Sequence, residues 1–121
     1  MELNAITLFT EDMAASVAFW LVPGLEVAYG GPDASFTSLR LGPHFVNLTG
    51  GGQTGRSSSD GIWGRFIVHV DSPDRVHRAF LDAGYRPDTE PADAPWGERY
   101  FHIRDPAGHE VSFARPLDVA P

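Results

Sequence analysis

The most constraining feature of the sequence is an order of predicted elements that occurs twice at an offset of 60 residues. Ala5 and Arg65 lie at the first predicted strand of each half, and Gly24 and Gly84 end the helix that follows it. In each half a strand and a helix precede three further strands. We therefore predict an α+β fold made of tandem βαβββ modules. The two helix-free sheet faces are expected to close into a cup-shaped mixed sheet around a small molecule.

Local signals define the predicted elements. The first half predicts a strand over 4–9, a helix over 12–21 capped by Asp12, and strands over 25–29, 35–41 and 44–49. The second half predicts a strand over 65–70, a helix that opens at Ser72-Pro73 and ends before Gly84, and strands over 85–87, 99–104 and 109–114. We expect one domain over 1–121, with halves 3–49 and 63–116 joined by a flexible Gly/Ser linker over 50–61.

Composition excludes several classes of function. The net charge is −7, with nine arginines and no lysine, so clustered positive charge for a nucleic-acid backbone is absent. There is no cysteine for disulfides or thiolate ligands, and no apolar run long enough to span a membrane. The N-terminus lacks the pattern of a secretory signal. We expect a cytoplasmic protein whose partner is a small molecule, with no nucleic acid and no membrane.

Two groups of motifs resemble the vicinal oxygen chelate superfamily, which includes glyoxalases, extradiol dioxygenases, and fosfomycin and bleomycin resistance proteins. The first group is ITLFTED at 6–12 with GLEV at 24–27, and the second is FIVHVD at 66–71 with RDPAGHEVSF at 104–113. The resemblance covers nearly the whole chain outside the linker. It implies the tandem βαβββ fold and a homodimer.

In metal-dependent members of that superfamily, His or Glu side chains at four positions hold a divalent ion. Carried over by the motifs, the ligand-equivalent positions here are Ala5, Asn47, Arg65 and Ser112. None is a histidine or a carboxylate, and the guanidinium of Arg65 repels a dication. We therefore expect no cofactor at the usual site, with a divalent metal as the alternative.

Strand alternation, phased by these positions, predicts which side chains line the cup. The predicted substrate-binding residues form an aromatic-lined pocket with a few polar anchors: Arg65, Asn47, Phe9, Phe45, Ile67, Tyr100, Ser112, Glu110 and Trp96. The inward placement of Tyr100 and His102 follows from the resemblance to fosfomycin resistance proteins. Arg65 either clamps an anionic ligand or pairs with an inward acid such as Glu110 and serves as a structural tie.

His69 and His102 are the candidate catalytic residues, because the pKa of histidine lies near neutrality. The structural alternative for each is a hydrogen-bonded residue in the lining of the cup. Together with Glu110, the two histidines also form a candidate metal site that is displaced from the usual one. Trp63 and Trp96 are candidate rim or interface residues. The leading hypothesis is a metal-independent binding protein for a small aromatic or anionic molecule, in sequestration or resistance. The alternatives are an enzyme (lyase, isomerase or dioxygenase) that uses His69 or His102, and an interaction module with a vestigial pocket.

Overall fold

The computed structural model describes residues 2–50 and 65–117, which divide into two compact units. One comprises Met1–Gly61 with Asp105–His109, and the other comprises Ile62–Arg104 with Glu110–Pro121. The linker over 51–61 and Trp63 lie outside the described residues. No helix in the described ranges is long and apolar enough to cross a membrane.

The first unit is a four-stranded mixed sheet with one helix against it. Its elements are β1 (Ala5–Phe9), α1 (Met13–Leu21), β2 (Glu26–Tyr29), β3 (Phe36–Leu41) and β4 (His44–Thr49). The strand order is β1-β4-β3-β2, and only the β1–β4 pair is parallel. The buried core between helix and sheet contains Phe19, Trp20, Leu39, Val46 and Leu48.

The second unit repeats this arrangement. Its elements are β5 (Arg65–His69), α2 (Pro73–Asp82), β6 (Ala92–Ala94), β7 (Glu98–Arg104) and β8 (Glu110–Pro116). The strand order is β5-β8-β7-β6, again with one parallel pair, between β5 and β8. The core under α2 contains Phe80, Phe101, Ile103, Val111 and Phe113. The α+β fold class and the duplication are confirmed.

The predicted helix signals are also confirmed. The Asp12 side chain accepts a hydrogen bond from the Ala15 amide at 3.0 Å, and Ser72 accepts one from Arg75 at 3.2 Å. Each bond satisfies an amide that lacks a partner within its own helix. Gly84 follows α2 with a φ of +93°, a conformation that a residue with a Cβ adopts at a cost.

The repeat extends to the buried side chains, since Trp20 and Phe80, 60 residues apart, are both fully buried. One predicted strand is wrong: 85–87 forms none, and the edge strand of the second sheet is β6. The Tyr85 amide instead bonds the Phe80 carbonyl at 2.9 Å, and the Tyr85 ring packs edge-on against Phe80. The end of α2 therefore holds this segment, and Pro87 has no amide with which to extend a sheet.

Candidate functional site

The helix-free face of the second sheet holds most of the predicted site residues. Strand register aligns them in three rows, the first of which also contains Arg104: Arg65 with Glu110 and Arg104; Ile67 with Ser112 and His102; and His69 with Ala114 and Tyr100. We call this surface the site face and define it by Arg65, Ile67, His69, Glu98, Tyr100, His102, Arg104, Glu110, Ser112 and Ala114. The alternate residues of the same strands, among them Val68, Phe101 and Phe113, are buried.

One nitrogen of Arg65 makes every hydrogen bond of that side chain within the described residues. Nη1 lies 2.8 Å from His102 Nε2 and 3.2 Å from Glu110 Oε2. The predicted pairing with Glu110 is therefore present, and it joins neighbouring strands of one sheet. The Arg65 side chain remains 45% exposed. Nε and Nη2, the edge of the guanidinium that binds a carboxylate in a bidentate manner, donate to no described residue.

The partners of His102 fix its protonation. Arginine only donates hydrogen bonds, so Nε2 accepts from Arg65 and the ring proton lies on Nδ1. Nδ1 therefore donates to Ser112 Oγ at 2.7 Å. Burial, and then the positive charge of Arg65, hold the pKa of His102 below its usual 6.5, against the opposing effect of Glu110. His102 is thus a neutral imidazole at neutral pH.

Three rings form a series that leads to the guanidinium. The Trp96 ring lies 5.5 Å from the ring of Tyr100, which lies 4.9 Å from the ring of His102. The indole is 67% exposed, and its Nε1 donates to Glu98 Oε1 at 3.1 Å. Gly97, with a φ of +93°, makes the tight turn between β6 and β7 that brings Trp96 over Tyr100. On β5, across β8 from the rings of Tyr100 and His102, the exposed Ile67 adds an apolar surface.

The two candidate histidines lie in different rows of the site face. His69 is 60% exposed, and its Nε2 lies 3.6 Å from Glu98 Oε2. Glu98 therefore contacts both His69 and Trp96, a role that the sequence interpretation missed. Within 2–50 and 65–117, no three histidine or carboxylate side chains are grouped to hold a metal ion. His69, His102 and Glu110 are accordingly not assembled as the displaced metal site requires.

The predicted site residues of the first unit lie on the helix-free face of its own sheet. Phe9 is exposed, and Phe45 lies beneath the guanidinium of Arg40, 5.5 Å from its ring centre. The Asn47 amide is engaged on both sides. Its Oδ1 accepts from Ser38 at 2.7 Å, and its Nδ2 donates to Thr7 at 3.3 Å.

Comparisons with known proteins agree with this architecture. The sequence profile of the Glyoxalase/Bleomycin resistance protein/Dioxygenase superfamily matches residues 2–113. TioX from Micromonospora sp. ML1 is 25% identical, with 97% of this chain and 100% of that one covered and a TM-score of 0.74. A lactoylglutathione lyase from Agrobacterium tumefaciens is 22% identical, with coverages of 94% and 92% and a TM-score of 0.74. A bleomycin-binding protein complexed with bleomycin is 17% identical, with coverages of 95% and 98% and a TM-score of 0.73. No functionally curated protein matches the chain.

Proposed function

Because the chain belongs to the Glyoxalase/Bleomycin resistance protein/Dioxygenase superfamily, we propose that it binds a small aromatic or anionic organic molecule on its site face without a metal ion. Sequestration or resistance is the role that fits such binding. The observation that carries the proposal is the exposed ring of Trp96 beside Tyr100, whose own ring lies beside His102, the hydrogen-bond partner of Arg65. Exposed aromatic area beside a few fixed polar groups is the usual character of a small-molecule site.

A fold of this kind is compatible with the binding of a small molecule. A bleomycin-binding protein shares this architecture at 17% identity, which shows the fold alone. The nature of the ligand must therefore be argued from the residues of this chain. Here they offer π-surfaces and hydrogen-bonding groups, the guanidinium of Arg65, a second guanidinium on Arg104 that pairs with Asp88 at 3.5 Å, and the carboxylates of Glu98 and Glu110.

The residues at the four ligand-equivalent positions do not fit a divalent metal. Ala5 has no donor atom, and the Asn47 amide is hydrogen-bonded to Ser38 and Thr7. Arg65 carries a fixed positive charge, and the Ser112 hydroxyl accepts from His102. Divalent ions in proteins are held by carboxylates and imidazoles, which are missing at all four positions. We derive no step through a metal.

A fragment screen with a defined readout tests the proposal. The indole Nε1–H signals of 15N-labelled protein are followed during titration with aromatic and anionic fragments, and the Trp96 signal is assigned from its loss in Trp96→Phe. Fragments that bind are expected to shift the Trp96 signal and to lose affinity in Arg65→Gln. The matched control is Arg78→Gln, which removes an exposed arginine of α2. Fragments that never shift Trp96, or that bind Arg65→Gln equally well, would contradict the site.

Metal independence has its own test. Elemental analysis of the purified protein is expected to show no stoichiometric divalent metal. Addition of Mn, Fe, Co, Ni or Zn is expected to leave the melting temperature unchanged. One tightly bound metal ion per chain would overturn this part of the proposal. The homodimer expected from the resemblance stays a prediction, which light scattering of the purified protein measures directly.

A second candidate function, catalysis, rests on the protonation of His102. If Arg65 turns from His102 Nε2 to a bound anion, the lone pair of Nε2 is released and can accept a proton from a substrate whose resulting anion the guanidinium stabilises. His69 is exposed and contacts Glu98, which makes it the weaker candidate. Incubation of the protein with each bound fragment, followed by NMR of the fragment, separates the two functions. Turnover that is lost in His102→Gln supports an enzyme, and unaltered fragments support binding alone.

A further inference from the structure

Glu110 stands where a ligand carboxylate would compete with it. It lies opposite Arg65 in the register of β5 and β8, and its side chain is only 18% exposed. Its Oε2 accepts a hydrogen bond from Nη1 of Arg65 at 3.2 Å. Because His102 is neutral, the pair of Arg65 and Glu110 has no net charge, and Arg104 on the other side of Glu110 pairs with Asp88 at 3.5 Å.

We propose that Glu110 is a specificity-determining residue that opposes the binding of anions at Arg65, and that the ligand is an aromatic monocarboxylate. This inference rests on the proposed function and names its ligand class. The ring of the ligand lies on Trp96 and Tyr100, and its carboxylate meets the Nε and Nη2 edge of Arg65.

The choice of a carboxylate follows from the shape of the available donors. Within the described residues, Nε and Nη2 are the donors of Arg65 that make no hydrogen bond. Their two parallel N–H groups match the two oxygens of a carboxylate. The choice of an aromatic group follows from the rings of Trp96 and Tyr100 and from Ile67, which is 55% exposed.

The inference that the ligand carries a single negative charge follows from the position of Glu110. A carboxylate on Nε and Nη2 shares one guanidinium with the Glu110 carboxylate. Two like charges about 6 Å apart weaken affinity by a factor of about three at the dielectric of water and about a hundred at an effective dielectric of about 20, so a partly exposed pair lies near a factor of about ten. A second negative charge on the ligand adds further repulsion. The site therefore favours a monoanion over a dianion, and removal of the Glu110 charge should tighten binding.

The experiment compares 3-phenylpropionate with its neutral amide, 3-phenylpropanamide. Binding to wild type, Glu110→Gln, Glu110→Asp and Arg65→Gln is measured from the Trp96 indole signal. Glu110→Gln is expected to bind the acid about tenfold more tightly, and the amide within twofold of wild type. Glu110→Asp keeps the charge and is expected to bind the acid as wild type does. Arg65→Gln is expected to remove the preference for the acid. The matched control is Glu90→Gln, an exposed loop carboxylate.

Acid affinity that is unchanged or weaker in Glu110→Gln would overturn the inference, because Glu110 would then hold Arg65 in place for the ligand. The proposed function survives that result as long as either probe still shifts Trp96. A wild-type protein that binds the amide as tightly as the acid would also overturn the inference. A measurement without a variant covers the case of misfolding: dianionic benzylmalonate is expected to bind wild type no more tightly than 3-phenylpropionate does. Tighter binding of the dianion would contradict the role of Glu110.

Discussion

Phe80 supports the strands that hold the site face, and Phe80→Ala tests that support. The ring is fully buried and lies 5.7 Å from Tyr85, 6.3 Å from Phe101 and 5.6 Å from Phe113. Phe101 lies in β7 directly before His102, and Phe113 lies in β8 directly after Ser112. Removal of the ring leaves a cavity at the centre of this unit. The expected loss is about 4 kcal/mol in the free energy of unfolding, a large share of the stability of a chain of this size.

Urea denaturation followed by circular dichroism measures this loss. Phe80→Ala is expected to lower the midpoint with little change in slope, and to lower the melting temperature by roughly 15 °C. Phe80→Leu, which fills more of the space, is expected to lose about 1.5 kcal/mol. Leu81→Ala, at the neighbouring exposed position, is expected to lose about 1 kcal/mol or less. If Phe80→Ala and Leu81→Ala lose the same amount, the core of this unit does not depend on Phe80 and the packing described here is refuted.

Three further predictions concern charge and backbone. Hydrogen bonds from Arg99 to Asp74 hold the pKa of Asp74 below 3.8, so their contribution to stability is complete above that pH and is lost as the pH falls further. Asp74→Asn is therefore expected to be destabilised at pH 7 and to converge with wild type in acid denaturation, and a constant difference would contradict the pairing. Arg65→Gln is expected to raise the pKa of His102 toward 6.5 without reaching it, because burial is the larger cause of the lowered pKa. NMR titration of the histidine measures this. An unchanged pKa would show that Arg65 does not lie beside His102. Gly30→Ala is expected to lower the free energy of unfolding, measured in urea, by about 2–3 kcal/mol, and Gly31→Ala by about 1 kcal/mol. Both glycines have positive φ, but only a Cβ at Gly30 meets the Phe36 carbonyl. Equal losses would show that this contact does not matter.

Local signals made much of the fold predictable. The caps Asp12 and Ser72 and the glycines after both helices act within a few residues, so the sequence shows them directly. The strand predicted over 85–87 is wrong because the hydrogen bond and the ring contact of Tyr85 with Phe80 hold the segment against the end of α2. The edge strand β6 pairs only with β7, and pairing of that kind is not visible in the three residues themselves.

The residues of the site face were predictable from strand alternation, whereas most of the contacts between them were not. Alternation assigned Arg65, Ile67 and His69 to one face of β5, as observed. The hydrogen bonds from Arg65 to His102 and from His102 to Ser112 depend on the register of three strands. That register follows from packing over the whole sheet. Glu98 was missed for the same reason, since its contacts with Trp96 and His69 join a turn to another strand.

A comparison of the two halves favours the second sheet as the one that binds the proposed ligand. Equivalent positions of the repeat have kept the same role in the cores, where Trp20 and Phe80 are both fully buried. On the helix-free faces they differ, because Ala5 has no functional group and Arg65 carries a charge. Asn47 closes a neutral row with Ser38 and Thr7. Ser112 instead accepts from a histidine that accepts from Arg65. A core needs only volume and apolar area, which both halves supply, whereas recognition of an anion needs a charge at one position. We propose that Arg65 supplies that charge and that Glu110 beside it limits which anions bind.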